Sequence, residues 1–373
     1  KSSMVGVDLQ FNTLMGAIDL VYGIDIYRDS VDSARHDLNS NGSLDRIRIQ
    51  GPIGDDARFT QWGAYIQGVA LPHERLRLEV GSRYTWITAK IGRFEDPMTN
   101  RASRFSDDWN EFIHSARASV FFEKDHRSTA WLGISESFRA PNVADLSRFG
   151  ASRSNEIEIA ATDLDAENFL SVEFGVRRSG WPFDFSATTY HTRIRDYITS
   201  TPTGQLRSGL TEVSKQNSAS GFVQGIELEG SRAWRNGMRC WGNITWLEGE
   251  LKTISSIANR RGVTESLSRI MPLTMNFGAS WSDPTRRIRA AIDIMLVAKA
   301  DDLSSGDRAD TQRIPPRGTP SHEFVRMSFE KQLNHTFGIA LGITNLVNKT
   351  FRTHGSGMNE PGRSADVRIT ARF

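Results

Sequence analysis

Residues 271–281 read MPLTMNFGASW, and their order decides the fold class. Met271, Leu273, Met275, Phe277, Ala279 and Trp281 alternate with Thr274, Asn276, Gly278 and Ser280. Period-two alternation of this kind places one set of side chains on each face of a β-strand. The second face is small and polar throughout. A closed soluble barrel needs an apolar interior, so the pattern predicts the reverse arrangement, with an apolar exterior against lipid and a polar lumen.

The same alternation recurs along the chain. In 16–27, Ile18, Leu20, Tyr22, Ile24 and Ile26 oppose Ala17, Asp19, Gly23 and Asp25; in 168–177, Leu170, Val172, Phe174 and Val176 oppose Ser171, Glu173, Gly175 and Arg177. Further segments at 286–298 and 336–345 behave alike, each about long enough to cross the hydrocarbon on a tilt. Fifteen strands are expected, at 3–11, 16–27, 61–71, 75–88, 113–123, 128–138, 168–177, 183–197, 221–233, 238–249, 271–281, 286–298, 323–331, 336–345 and 364–373. Their connectors alternate between brief turns, such as Asn236-Gly237 and Asp283-Pro284, and long polar segments at 28–60, 89–112, 139–167, 198–220, 250–270, 299–322 and 346–363. Short turns on one rim and long loops on the outer rim characterise a membrane barrel.

Composition is compatible with this reading. Mean hydropathy is −0.42, as polar lumen residues and loops lower the average far below that of a helical membrane protein. No stretch approaches 18 uninterrupted apolar residues, so no helical span is expected. Lys plus Arg number 46 against 44 Asp plus Glu, which argues against a nucleic-acid partner. The single Cys240 lies in the apolar-rich stretch MRCWGNITW and is expected to be packed or membrane-facing. No Ser-His-Asp arrangement or cluster of metal ligands supports an enzyme, so no catalytic, cofactor or metal residues are assigned.

Two stretches resemble TonB-dependent receptors. GISESFRAPNVADL (133–146) is similar to the family strand that ends in a Phe-Arg-Ala-Pro box, here Phe138, Arg139, Ala140 and Pro141, and runs into an outer loop. NLVNKTFRTHGSGMNEPGRSADVRITARF (345–373) is similar to its penultimate strand end, last loop and closing strand. YHTRIRDYITS and GFVQGIELEGSRAW support the likeness between them, so it covers essentially all of 1–373, taken as the C-terminal portion of one barrel.

Individual residues carry separate expectations. Pro141 lacks an amide proton and suits the point where its strand leaves the ladder, and Arg139 is placed to pair with an acidic residue of the lumen wall. Asn359, Glu360, Pro361, Gly362 and Arg363 are expected to tie the last loop to neighbouring strands. Phe373, aromatic and in register with Val367, Ile369 and Ala371, resembles the signal that barrels present to their insertion machinery.

The resemblance implies an outer-membrane receptor of a Gram-negative-type bacterium, embedded in outer-membrane lipid and importing a scarce extracellular nutrient such as an iron-siderophore complex. The family has twenty-two strands around an N-terminal plug that TonB contacts. With fifteen strands and no plug visible, the expectation is an incomplete antiparallel barrel, about 15 of 22 strands, whose TonB contact belongs to a missing N-terminal region. A passive porin or structural barrel is the competing reading. Haem import is disfavoured, because no histidine lies between His126 and His191 and the family's second haem box is absent from SRSNEIEIAATDLDAEN; His36, His322 and His354 are read as loop residues.

Overall fold

The computed structural model describes residues 1–152, 155–253 and 262–372. They form twenty strands and two short helices: β1 (Ser2–Met15), β2 (Ile18–Val31), β3 (His36–Leu38), β4 (Leu44–Ile47), β5 (Asp55–His73), β6 (Leu76–Glu95), β7 (Ala102–Phe121), β8 (Ser128–Arg139), α1 (Val143–Ser147), β9 (Gly150–Ala151), β10 (Glu156–Ile159), β11 (Glu167–Arg178), β12 (Phe183–Arg207), β13 (Leu210–Ala233), β14 (Met238–Thr253), β15 (Val263–Ser266), β16 (Thr274–Asp283), β17 (Ile288–Val297), α2 (Ser305–Ala309), β18 (His322–Gln332), β19 (Phe337–Thr344) and β20 (Ser364–Ala371). Among the described residues no helix is long and apolar enough to cross a membrane.

Setting aside β3, β4, β9, β10 and β15, which lie within the outer loops, fifteen strands follow one another antiparallel from β1 to β20. No ladder joins β1 to β20 among the described residues, so the curved sheet is open along those two strands.

The alternation sets the faces. Val7, Leu9, Ile24, Trp62, Ile66, Val80, Leu132, Ile134, Val172, Phe174, Ile226, Phe277, Leu341 and Ile369 are all exposed hydrophobics of the outer face. Their neighbours point inward, where Arg83 clamps Asp25 with two hydrogen bonds of 2.7 and 2.8 Å and Arg117 meets Glu173 at 3.1 Å. Gly63 lies under the Arg83–Asp25 pair, and a Cβ there would collide with both side chains. Exposed Trp181, Phe183, Trp234 and Phe337 lie at or beside the short-turn rim, and Tyr84, Trp86 and Phe112 lie toward the other end of the apolar band. Such girdles mark the two membrane interfaces.

Several expected loops are shorter than the sequence suggested, because strands run on past the membrane. The 198–220 connector is a continuation of β12 and β13 with a turn at Ser208 and Gly209, both with positive φ. Likewise 89–112 shrinks to a loop at 96–101, and the 28–60 connector contains the β3–β4 hairpin. On β5–β7 these extensions exchange the chemistry of the faces, with Ala57, Phe59, Ile91, Phe94 and Trp109 packed inward under the outer loops and Arg58, Lys90 and Arg104 facing outward. The apolar-outside alternation thus stops at the membrane surface although backbone pairing does not.

Candidate functional site

The outer mouth is built mainly from the loop at 140–166 and its supports. Arg139, the last residue of β8, donates from Nε and Nη2 to the two carboxylate oxygens of Glu167, at 2.7 Å each, and from Nη1 to Asp145 at 2.6 Å. Glu167 is 1% exposed, and its Oε1 also accepts the Ile198 amide at 2.9 Å. One guanidinium thus ties together β8, α1 and the start of β11. A buried carboxylate requires such compensation, since an unpaired one is costly to remove from water.

Local chemistry starts α1. Asn142 caps it, accepting from the Ala144 and Asp145 amides while the Asp145 carboxylate accepts from Asn142. Ala140, Val143 and Leu146 then enter an apolar cluster with Ile87, Ile91, Phe94 and Trp109 of the inner wall, and Phe138 packs against it. Pro141 is fully buried. The Ser147 hydroxyl accepts the Gly54 amide at 2.8 Å, and its carbonyl accepts Gln50 Nε2 at 2.7 Å. Trp109 Nε1 donates to Leu164 O at 2.9 Å. Loops 32–54 and 140–166 therefore fold inward and pack on the inner face of β5–β7.

Beside this loop, past Ile198, the mouth becomes more polar. A cavity of about 450 Å³ lies between β12–β14 and α2, with Thr199, Ser200, Lys215, Thr253, Ser268 and Arg269 on its walls. Ser268 Oγ donates to Asp307 at 2.8 Å and Arg269 N to the same carboxylate at 3.2 Å; the Arg269 guanidinium also pairs with Asp310, which Arg313 approaches to 3.1 Å. Close by, His354 Nδ1 and Thr319 Oγ1 are 2.9 Å apart, and burial holds the imidazole below the usual histidine value.

In the last loop, Glu360 N donates to Phe351 O at 2.8 Å, Asn359 Oδ1 accepts Arg352 Nε at 2.9 Å, and Arg363 N donates to Asn348 Oδ1 at 2.9 Å beside Gly362. Pro361 O accepts Asn345 Nδ2 at 3.0 Å. Asn345 is fully buried and also exchanges two bonds with the Lys349 backbone, at 2.9 and 3.0 Å. The two motif regions are not brought together, because β11 to β18 separate them in the sheet. Phe373 lies outside the described residues.

Sequence reasoning missed Glu167, Asn345 and the Arg269–Asp307–Asp310 group. Glu167 directly precedes an alternating strand and gives no local sign of burial. Asn345 stood within the quoted closing motif, but only its position φ of +52° and its three bonds distinguish it from a surface asparagine.

Comparison with known proteins agrees with this architecture. No curated protein sequence matches the chain. The structure is similar to the copper transporter OprC, with TM-score 0.78, 16% identity, and coverage of 100% of this chain and 57% of that one. The siderophore receptor PiuA from Acinetobacter baumannii gives TM-score 0.73 and 12% identity, covering 99% and 55%. An apoprotein form of the FrpB iron transporter from Neisseria meningitidis gives 0.74 and 14%, covering 100% and 56%. The chain thus spans a little over half the length of these proteins, and identities this low show a shared fold. The model of the TonB dependent receptor-like β-barrel family matches residues 2–346. This is a family of outer-membrane receptors and not of enzymes, and the chain belongs to it.

Proposed function

We propose that residues 1–373 form one portion of an outer-membrane receptor that takes up a scarce nutrient, such as an iron-siderophore complex, and is energised through TonB in the complete protein. The observation that carries this reading is the inward folding of loops 32–54 and 140–166 onto the wall, which leaves a recessed, hydroxyl-lined cavity beside them. A passive pore needs an open lumen, whereas a receptor needs an ordered, recessed surface facing outward. The names of the similar structures, a copper transporter, a siderophore receptor and an iron transporter, support uptake of a metal or its chelate.

Within this reading, Phe138, Arg139, Ala140 and Pro141 brace the outer loop, and Asn359, Glu360, Pro361, Gly362 and Arg363 close the last one. Phe373 addresses the barrel-insertion machinery. Loops 140–166, 298–321 and 345–363, with the tip of the β12–β13 hairpin, supply the ligand surface.

The test is uptake of radiolabelled iron chelates and copper by cells carrying the complete reading frame, with TonB intact or deleted. TonB-dependent accumulation of one ligand is expected. Accumulation that ignores TonB and scales with solute size would instead establish a passive pore.

A further inference from the structure

Beyond the aromatic residues of β5, β6 and β7, toward the outer rim, the lipid-facing sides of these strands and of β2 carry cations. Trp62 and Trp86 are directly opposite one another, as are Tyr84 and Phe112, and all four are exposed. Two residues at a time toward the outer rim, the same face presents Arg28 on β2, Arg58 on β5, Lys90 on β6 and Arg104 on β7. All four are exposed. Four residues of strand separate Trp62 from Arg58 and Trp86 from Lys90, roughly 13 Å along the chain, which carries this cross-strand pair out of the hydrocarbon to the depth of lipid headgroups. Arg28 lies two positions nearer the aromatic level, and Arg104 two positions past Ser106, the partner of Lys90.

Arg58 and Lys90 are a directly opposed cross-strand pair, and like charges in that position repel. Asp56 reaches Arg58 at 3.4 Å, and Arg28 Nε donates to Thr60 Oγ1 at 3.4 Å. Among the described residues, no ion pair involves Lys90 or Arg104. Between them opens a cavity of about 590 Å³, which Gly92 and Ser106 line and Asp56 borders.

We propose that this patch binds the phosphate of an anionic lipid headgroup in the outer leaflet. A tetrahedral dianion between Lys90 and Arg104 relieves the repulsion around Arg58, and arginine suits phosphate by donating two hydrogen bonds at once. The attached acyl chains run down over Trp62 and Trp86, a contribution that free phosphate lacks. The inference rests on the membrane placement of the barrel and is independent of which nutrient it imports.

The test uses protein expressed from its complete reading frame, purified in dodecyl maltoside and stripped of lipid. Native mass spectrometry follows binding of bisphosphorylated lipid A, its dephosphorylated form and inorganic phosphate. Lipid A is expected to bind, and loss of its phosphates to weaken binding roughly tenfold. The double variant Lys90→Gln/Arg104→Gln is expected to weaken lipid A binding to a similar extent, the lumen variant Arg177→Gln to leave it unchanged, and Asp56→Asn to tighten it. Equal binding of the two lipids, or an equal effect of the lumen variant, overturns the proposal. So does displacement of lipid A by equimolar inorganic phosphate, which would identify a free-anion site. Because no arm of the experiment reads uptake, failure here leaves the receptor reading intact, and failure of uptake leaves this site intact.

Discussion

Arg139 and Asn345 each hold a loop through several bonds, so single substitutions there are expected to have local and measurable effects. Arg139→Ala leaves Glu167 buried without its guanidinium; the half-exposed arginine limits the cost to about 2–3 kcal/mol. Limited proteolysis should then cut within 140–166 while the strands stay protected, and unchanged cleavage would remove the bracing role. Asn345→Gly keeps a residue suited to positive φ but deletes the bonds to Lys349 and Pro361, a loss of roughly 2–3 kcal/mol. Hydrogen exchange should rise at 349–361 in this variant and nowhere else. His354 gives a pH dependence. Its folded value lies below the ordinary 6.5 because burial opposes the charged form, with Asp307 and Arg269 acting in opposite senses. The unfolded loop therefore binds more protons, so the packing it contributes is complete above pH 6.5 and is lost as pH falls through and below that value. Protease sensitivity of 298–321 should increase between pH 7.5 and 5.5, and His354→Gln should flatten the profile.

At the scale of elements, the β12–β13 hairpin is the clearest departure from the expected loops. Its tip is pinned from the side, as Arg207 donates to Glu212 at 2.7 Å, to Asn100 Oδ1 at 2.8 Å and to Pro97 O at 2.8 Å. Arg207→Ala is expected to raise exchange at 96–101 and near the hairpin tip without altering the membrane-spanning ladders. Equal exchange in variant and parent would show that strand pairing alone holds the tip. The same hairpin orients the molecule. A cysteine at Ser208, in a background lacking Cys240, should react with an impermeant reagent on whole cells, while one at Asn236 on a short turn should not. The reverse labelling would invert the proposed topology.

For the whole molecule, the open edges matter most. β1 and β20 run in the same direction, because fourteen antiparallel steps separate them in the ladder. Closure of these fifteen strands on themselves would therefore need a parallel pair in an otherwise antiparallel wall. Hydrocarbon cannot satisfy free edge amides, so both edges need partners in a membrane. In the protein expressed from its complete reading frame, cysteines at Val7 and Val367 are expected not to cross-link, since a parallel β1–β20 pair would interrupt an antiparallel wall. Efficient disulfide formation would show that the fifteen strands seal directly.

The sequence by itself determined the fifteen spanning strands, their faces and the alternation of turns with loops. Those features follow from a lipid exterior and a polar lumen that impose opposite chemistry on successive residues, as at Ile18 to Ile26 and Met275 to Trp281. It also located the Phe138–Pro141 box and the last loop through their resemblance to the family. Only the tertiary structure decided what those residues touch. Glu167 lies 28 positions from Arg139 in the chain, and Gln50 reaches Ser147 across 97. Past the membrane surface the faces exchange character, as on β5–β7 where Phe59, Ile91 and Trp109 turn inward under the loops and Arg58, Lys90 and Arg104 turn outward. The lipid-facing pattern therefore no longer marks the strands there, and capped helices and buried ion pairs leave no strand periodicity at all. Their positions follow from which loop packs against which wall, a matter settled by the curvature of the sheet and not by local pattern.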